Sequence, residues 1–208
     1  MLAITNGKIY TMTGEVFDGG TLLIKDGKIE EVGQEVAIPE NAKVIDAKGK
    51  YVFPGFIDAH SHADLAVLDP SLPPIKLHQG VTTEVFGNCG SSPAPVSPQY
   101  ENALKEYTEP FMGSRPEPWN WPRMSDFMDA LSKDGKPHHI ATLVGNGTLR
   151  IHARGFRPGW MSPEEMNHIL YHLEEGLEAG ALGLSMGLMY TPENFHTREE
   201  LLQICRVL

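Results

Sequence analysis

The stretch GFIDAHSHADL, residues 55–65, places two histidines one residue apart at the end of an apolar run. In an extended strand, residues i and i+2 point to the same face, so His60 and His62 would direct both imidazoles into one small volume. Two neutral imidazoles in this arrangement are good ligands for a zinc-type ion, and Asp58 could help to orient them. The alternative is a surface strand end that carries two solvated histidines.

Strands and helices alternate in the sequence that follows Pro54. Four apolar runs each end in small or polar residues, namely VFPGFIDAHSH, GVTTEVFGNCG, HHIATLVGNGTLR and GALGLSMGLMY. The segments between them have helical spacing, and such alternation predicts parallel β/α units. Ser162 and Thr197 each begin a capping box that opens a helix, and Ser125 would cap a shorter one.

Residues 1–53 have a different pattern, with short segments that alternate with a period of two. The dipeptides Asn6-Gly7, Asp26-Gly27 and Lys48-Gly49 favour the positive backbone angles of tight hairpin turns. The pattern predicts a small β-sheet unit that is too small to be stable alone and must pack on something else. We therefore expect one domain over residues 1–53, part of a β-sandwich, and a second over 54–208.

Composition and charge exclude some classes of function. The formal net charge of −10 argues against a nucleic-acid-binding protein, which would need a basic face. No apolar segment approaches the length of a membrane span, so we expect no membrane partner. Two cysteines, far apart in the sequence, suit a reducing compartment, and we predict a cytoplasmic location.

A third candidate metal ligand follows the second apolar run. In β/α architectures, functional groups lie at the carboxyl ends of the strands, where His60 and His62 follow one run and Cys89 follows the next. A thiolate and two imidazoles suit zinc. The alternative for Cys89 is a small buried apolar side chain. The flanking Gly87 and Gly90 favour a sharp turn, and we predict that the cysteine binds the metal.

The third and fourth runs contribute candidates for substrate binding. Arg150 could clamp a carboxylate with two parallel hydrogen bonds, or it could form a structural ion pair outside the site. Ser185 and Tyr190 could contact the substrate, although such residues at a strand end often serve only in packing and turns. The other histidines show no partner spacing, and His168 and His172 are interpreted as part of a solvated helix face.

The segment over residues 109–122 contains RPEPWNWP and fits neither the helical nor the strand period. We interpret it as an irregular surface connection, with a wall or lid over a pocket as the alternative.

Four motifs resemble a known family. FPGFIDAHSHADL, after a β-rich unit, resembles the first barrel strand of the amidohydrolase superfamily. QGVTTEVFGNCGSSPAP is similar to the N-acyl-D-amino-acid deacylases (D-aminoacylases), in which a cysteine after the second strand is a metal ligand. LVGNGTLR and GALGLSMGLMYTP are similar to the third and fourth strand motifs of that group, although a histidine would be expected where Asn146 stands.

The resemblance implies an α/β fold with the first four β/α units of a TIM-like (β/α)8 barrel, which four units cannot close. The chain would then be an N-terminal fragment. It implies zinc held by His60, His62 and Cys89, a substrate pocket lined by Tyr190, and hydrolysis of N-acyl-D-amino acids. The general base would lie beyond residue 208, so we expect the chain alone to be inactive.

Two alternatives to the deacylase function stay open at this point. A hydantoinase or dihydroorotase-like hydrolase shares the paired histidines, but it commonly uses a carboxylated lysine and lacks the cysteine motif. A β/α scaffold with an incidental metal, or with none, would have no enzymatic activity. The sequence predicts neither the oligomeric state nor the preferred acyl group.

Overall fold

The computed structural model describes residues 1–113, 121–133 and 135–208, and these form two compact units that divide between Gly55 and Phe56. None of the helices in those ranges is long and apolar enough to cross a membrane. The predicted wall or lid around RPEPWNWP lies largely outside the described residues. Its first residues, Glu109 to Met112, are helical, so the prediction of an irregular segment from residue 109 is wrong there.

The first unit, Met1–Gly55, is a five-stranded sheet. Its strands are β1 (Leu2–Tyr10), β2 (Val16–Lys25), β3 (Lys28–Gly33), β4 (Lys43–Asp46) and β5 (Tyr51–Val52). The order is β3-β2-β1-β4, and β5 also pairs with β1. The β1–β2 and β2–β3 pairs are antiparallel, whereas β4 and β5 both run parallel to β1. The expected small β-sheet unit is therefore present.

Only one of the three predicted hairpin turns is a hairpin. Asp26-Gly27 joins β2 to β3, as expected. Asn6-Gly7 lies inside β1, where the register shifts, and Asn6 has a φ of 54°. The hairpin prediction fails there because a bulge needs the same backbone angles as a turn. Lys48-Gly49 is a turn between β4 and β5, which pair with β1 and not with each other.

The second unit, Phe56–Leu208, alternates short parallel strands with helices. The strands β6 (Phe56–Asp58), β7 (Val81–Phe86) and β8 (His139–Thr142) form one parallel sheet in that order, and β9 (Val144–Gly145) pairs with β10 (Leu184–Ser185). The helices are α1 (Ile75–His78), α2 (Glu101–Met112), α3 (Met124–Ser132), α4 (Asn146–Arg154), α5 (Pro163–Glu178) and α6 (Arg198–Cys205). The four apolar runs supply these strands.

The helix starts test the capping predictions. The hydroxyls of Ser162 and Thr197 accept hydrogen bonds from Glu165 N and Glu200 N, which confirms both capping boxes. The predicted cap Ser125 is wrong, because α3 already begins at Met124. Glu175 of α5 accepts from the backbone N–H groups of Met124 and Ser125 at 3.1 and 3.3 Å, so a carboxylate distant in sequence satisfies these donors.

Apolar faces of the helices enclose the core of the second unit. The fully buried members include Leu104, Phe127, Leu149, Ile169, Leu173 and Ile204. Because α5 alone buries residues at positions 166, 169, 173 and 176, its helical period sets the face that packs inward. This packing holds the strand ends, and the loops that follow them, at one edge of the unit.

His152 and His172, for which the spacing predicted no partner, pack against each other between α4 and α5. The rings of His152 and His172 lie 4.2 Å apart, so the interpretation of His172 as solvated is wrong. Burial, together with the nearby His172 and His168, lowers the pKa of His152 to about 4. Burial also lowers the pKa of His172, against Glu175, which raises it, and with His168 and Arg123, which lower it. The folded chain therefore keeps His152 neutral in mildly acidic solution.

We expect His152 to make the chain less stable as the pH falls from about 6.5 towards 4. The unfolded chain takes up a proton on this residue near pH 6.5, whereas the folded chain does not until about pH 4. In a His152→Gln variant, the slope of the unfolding free energy against pH over this range should be smaller by up to about 1.4 kcal/mol per pH unit. Urea denaturation at several pH values measures this slope. The control is His139→Gln at an exposed position. Equal pH slopes in wild type and His152→Gln would contradict this expectation.

Candidate metal centre

The structure brings together the three side chains that the sequence selected as metal ligands. One ligand atom from each of His60, His62 and Cys89 lies within 4.8 Å of the other two. Sγ of Cys89 is 3.3 Å from Nε2 of His60, and the two imidazole rings are 5.4 Å apart, nearly perpendicular. Among the described residues, no other group of three histidine, cysteine or acidic side chains converges in this way.

Adjacent strand ends position the three residues. β6 ends at Asp58 and its parallel neighbour β7 ends at Phe86, so the loops after both strands leave the same edge of the sheet. Cys89 has a φ of 56°, in the left-handed region that non-glycine residues rarely adopt. This turn conformation directs the thiol back towards His60. Asp58 accepts a hydrogen bond from the backbone N–H of His60 at 3.2 Å, so it orients the backbone there.

A charged network beside the site links the two strand ends. Nζ of Lys76 lies 2.7 Å from a carboxylate oxygen of Asp58 and 2.5 Å from one of Glu84. It also donates to Ser61 Oγ at 2.7 Å. The Lys76 hydrogen bond lowers the pKa of Asp58, which therefore stays ionised. Sequence reasoning missed Glu84, although the two-residue period of β7 places it on the same face as buried Phe86.

The three ligand side chains fit a zinc-type ion. One thiol and two imidazoles are the donors that zinc accepts in four-coordinate sites with one position still to fill. Burial lowers the pKa of His62, which favours the neutral imidazole that metals bind. Nδ1 of His62 is buried and has no hydrogen-bond partner among the described residues. A ring nitrogen of His62 is thus available to a ligand.

Aromatic side chains from α2 and a neighbouring loop lie on one side of the site. The ring of Phe111 meets that of His62 at 5.2 Å, edge to face. Tyr107 contacts Phe111 at 6.0 Å and Phe156 at 5.7 Å. The spacing of Tyr107 and Phe111, four residues apart, is a helical signal that sequence reasoning did not use. These rings give the site an apolar wall.

The predicted substrate contacts occupy different environments. Tyr190 is 45% exposed in the loop after β10. Ser185 is buried, where its hydroxyl donates to Gly87 O and accepts from Gly90 N. Arg150 is fully buried in α4, and its guanidinium donates to Gly159 O at 2.8 Å. Substrate binding by these three residues stays a prediction. Ser185 and Arg150 already form hydrogen bonds to other residues of the chain.

Two known families match the sequence. Residues 43–204 match the amidohydrolase family, and residues 1–52 match the NagA composite domain. The N-acyl-D-aspartate deacylase of Alcaligenes xylosoxydans xylosoxydans is 33% identical over 191 residues, covering 91% of this chain and 37% of that protein. The D-aminoacylase of the same organism is 35% identical over 164 residues, covering 79% and 33%.

Solved structures agree with the sequence relatives. The crystal structure of N-acyl-D-glutamate deacylase from Bordetella bronchiseptica, complexed with zinc and a phosphonate inhibitor, is 34% identical with a TM-score of 0.84. The match covers 99% of this chain and 42% of the Bordetella bronchiseptica deacylase chain. A D-aminoacylase crystal structure has a TM-score of 0.83 at 30% identity, covering 100% and 42%. The chain spans 33% to 42% of the length of these four relatives, and it belongs to the amidohydrolase family.

Proposed function

We propose that this chain supplies the first metal ligands of an N-acyl-D-amino-acid deacylase. The reaction is hydrolysis of the amide bond of an N-acyl-D-amino acid to a carboxylate and a free D-amino acid. The observation that carries the proposal is the convergence of one thiol and two imidazoles at neighbouring strand ends. The relatives named N-acyl-D-aspartate deacylase, N-acyl-D-glutamate deacylase and D-aminoacylase support the choice of substrate class.

The metal is proposed to be zinc, held by His60, His62 and Cys89. Bound there, zinc would supply Lewis acidity, which polarises a carbonyl and lowers the pKa of a water molecule. The chain's own residues fix the geometry. Asp58 holds the backbone at His60, and the Phe111 ring packs against the ring of His62. The zinc in the Bordetella bronchiseptica deacylase supports this choice of metal.

Tyr190 is the proposed substrate contact. Its exposed side chain follows β10, whose carboxyl end lies beside that of β9. A Cβ built on Gly187 would overlap both the carbonyl oxygen of Cys89 and the ring of Tyr190, so the Tyr190 ring lies beside the turn that carries Cys89. A phenol near the ligands is able to hydrogen-bond an acyl or carboxylate oxygen. Arg150 and Ser185 stay predictions for the same pocket.

The finer architecture belongs to the same proposal. We infer that residues 54–208 form the first four β/α units of a TIM-like barrel and that residues 1–53 form part of a β-sandwich. The parallel order β6-β7-β8 and the parallel β9–β10 pair support the first assignment. A cytoplasmic location, with a small molecule as the binding partner, stays a prediction.

Enantiomer preference tests the proposed function. Zinc-loaded protein is assayed on N-acetyl-D-amino acids beside the L forms, first as the 208-residue chain and then as the whole gene product that contains it. We expect no turnover by the chain alone, because no general base was assigned within it, and selective hydrolysis of D substrates by the whole product. Preferential opening of a cyclic amide would favour the hydantoinase alternative and contradict the deacylase proposal. Turnover by the chain alone would overturn the first expectation.

A further inference from the structure

Glu193 is a buried carboxylate that sequence reasoning did not select. It begins a short 3₁₀ turn, Glu193–Phe195, and only 1% of its surface is exposed. Its two oxygens accept from Gly187 N at 3.0 Å each, and Oε2 also accepts from Asn146 Nδ2 at 2.8 Å. Burial raises the pKa of Glu193, and these hydrogen bonds oppose that shift. A buried acid is retained at a cost unless its partners compensate, so its position needs a reason.

Asn146 is the side-chain partner of Glu193. It is fully buried at the first position of α4, and its amide donates to the carboxylate. The resemblance leads us to expect a histidine at this position. The structure shows that the asparagine is paired with an acid 47 positions away.

The Glu193 carboxylate packs directly against the turn that carries Cys89. A Cβ built on Gly90 would overlap Oε1 of Glu193, so the acid fills the space beside the residue that follows the cysteine. Gly187 donates its N–H to the Glu193 carboxylate, and a Cβ built on this glycine would overlap the carbonyl oxygen of Cys89. The carboxylate, Gly187 and the Cys89-Gly90 backbone therefore pack so closely that neither glycine has room for a side chain.

This close packing bears on a residue with an unfavourable backbone conformation. Cys89 has a φ of 56°, which a cysteine keeps only where the surroundings hold it there. That conformation places Sγ 3.3 Å from Nε2 of His60. A relaxed backbone at residue 89 would turn the thiol away from the two histidines.

We propose that Glu193 and Asn146 form a positioning pair that holds Cys89 in the conformation that presents its thiol to His60 and His62. This inference rests on the proposed metal site and goes beyond it, because neither member of the pair is a ligand. The two side chains act only through the backbone of the turn.

Two measurements test the pair, and one of them needs no metal. In a Cys205→Ser background, Cys89 is the only thiol in the chain, and its alkylation rate in the metal-free protein reports how firmly the turn is held. Cobalt titration of the same protein reports affinity, and a thiolate-to-cobalt charge-transfer band reports whether sulfur is bound. The first variant, Glu193→Gln, replaces one acceptor oxygen with an amide N–H group, which faces the N–H donors of Asn146 and Gly187. The second, Asn146→Ala, removes one of these donors and leaves the acid in place.

We expect both variants to alkylate faster than the parent and to bind cobalt about 10- to 100-fold more weakly, the loss typical of an outer-shell partner. The charge-transfer band should weaken more than the rest of the cobalt spectrum. The double variant should lose less than the sum of the two single losses, because both act through one contact.

The matched control is Glu200→Gln. Glu200 is another buried acid, 8% exposed, that accepts from Met161 N and Thr197 N and caps α6. The proposal would be overturned if the Glu193 and Asn146 variants alkylated and bound cobalt as the parent does. It would also be overturned if the Glu200 control changed as much as those two variants. Absence of cobalt binding in the parent would count against the proposed metal site, whereas the alkylation rates would still decide the role of the pair.

Discussion

Replacing Cys89 with serine is expected to remove bound zinc from the purified chain. The serine hydroxyl is not ionised at neutral pH, so the site would lose its only anionic donor and keep two imidazoles. Loss of an outer-shell partner costs up to about 100-fold in metal affinity, and loss of a direct ligand should cost more. Zinc per chain, measured by mass spectrometry after dialysis, should fall from about one to near zero.

The chain contains its own control for this experiment. Cys205 is the other free cysteine, at the exposed end of α6, and it is not part of the convergent group. Cys205→Ser should therefore keep the metal, whereas His60→Ala and His62→Ala should each lose it. Full zinc content in Cys89→Ser would show that the thiol is not a ligand and would leave the metal site without its strongest donor.

The meeting of His60, His62 and Cys89 was predictable from local rules. The two histidines are one residue apart in the loop that follows β6, and Cys89 follows the next strand, so proximity in the chain and strand order bring the three together. The strand alternation that predicted a shared face does not apply, because β6 ends at Asp58, before either histidine. Proximity and strand order depend only on neighbours in the chain and on the parallel order of strands that alternate with helices. The caps at Ser162 and Thr197 were predictable for the same reason, since each capping box lies within four residues of sequence.

Features that depend on distant partners escaped prediction. Glu193 sits beside Asn146 and Gly90 only because the third and fourth strand loops pack together, and neither period nor spacing reveals that contact. The cap at Ser125 was wrong because the distant Glu175 satisfies the first N–H groups of α3. The hairpin predicted at Asn6-Gly7 was wrong for a different reason. The predicted left-handed backbone angle is present, but a bulge and a turn both use that angle.

Gly87→Ala is expected to destabilise the second unit strongly. Gly87 has a φ of 73°, and a Cβ built there would overlap the carbonyl oxygen of Leu143. The left-handed angle costs about 1–2 kcal/mol for a residue with a side chain. Crowding adds typically about 1–3 kcal/mol, and the obstacle here is backbone that belongs to the strand region and cannot rotate away. The free energy of unfolding in urea should fall by about 2–5 kcal/mol.

Gly159→Ala separates the two contributions. Gly159 also has a positive φ, 93°, but a Cβ there meets nothing within 4 Å among the described residues. Its variant should lose only the backbone cost of about 1–2 kcal/mol. The excess loss in Gly87→Ala then measures how rigidly Leu143 confines the turn that leads to Cys89. Equal losses in the two variants would mean that the backbone near Leu143 yields, and that the position of the cysteine depends on Glu193 and Asn146 more than on the strand.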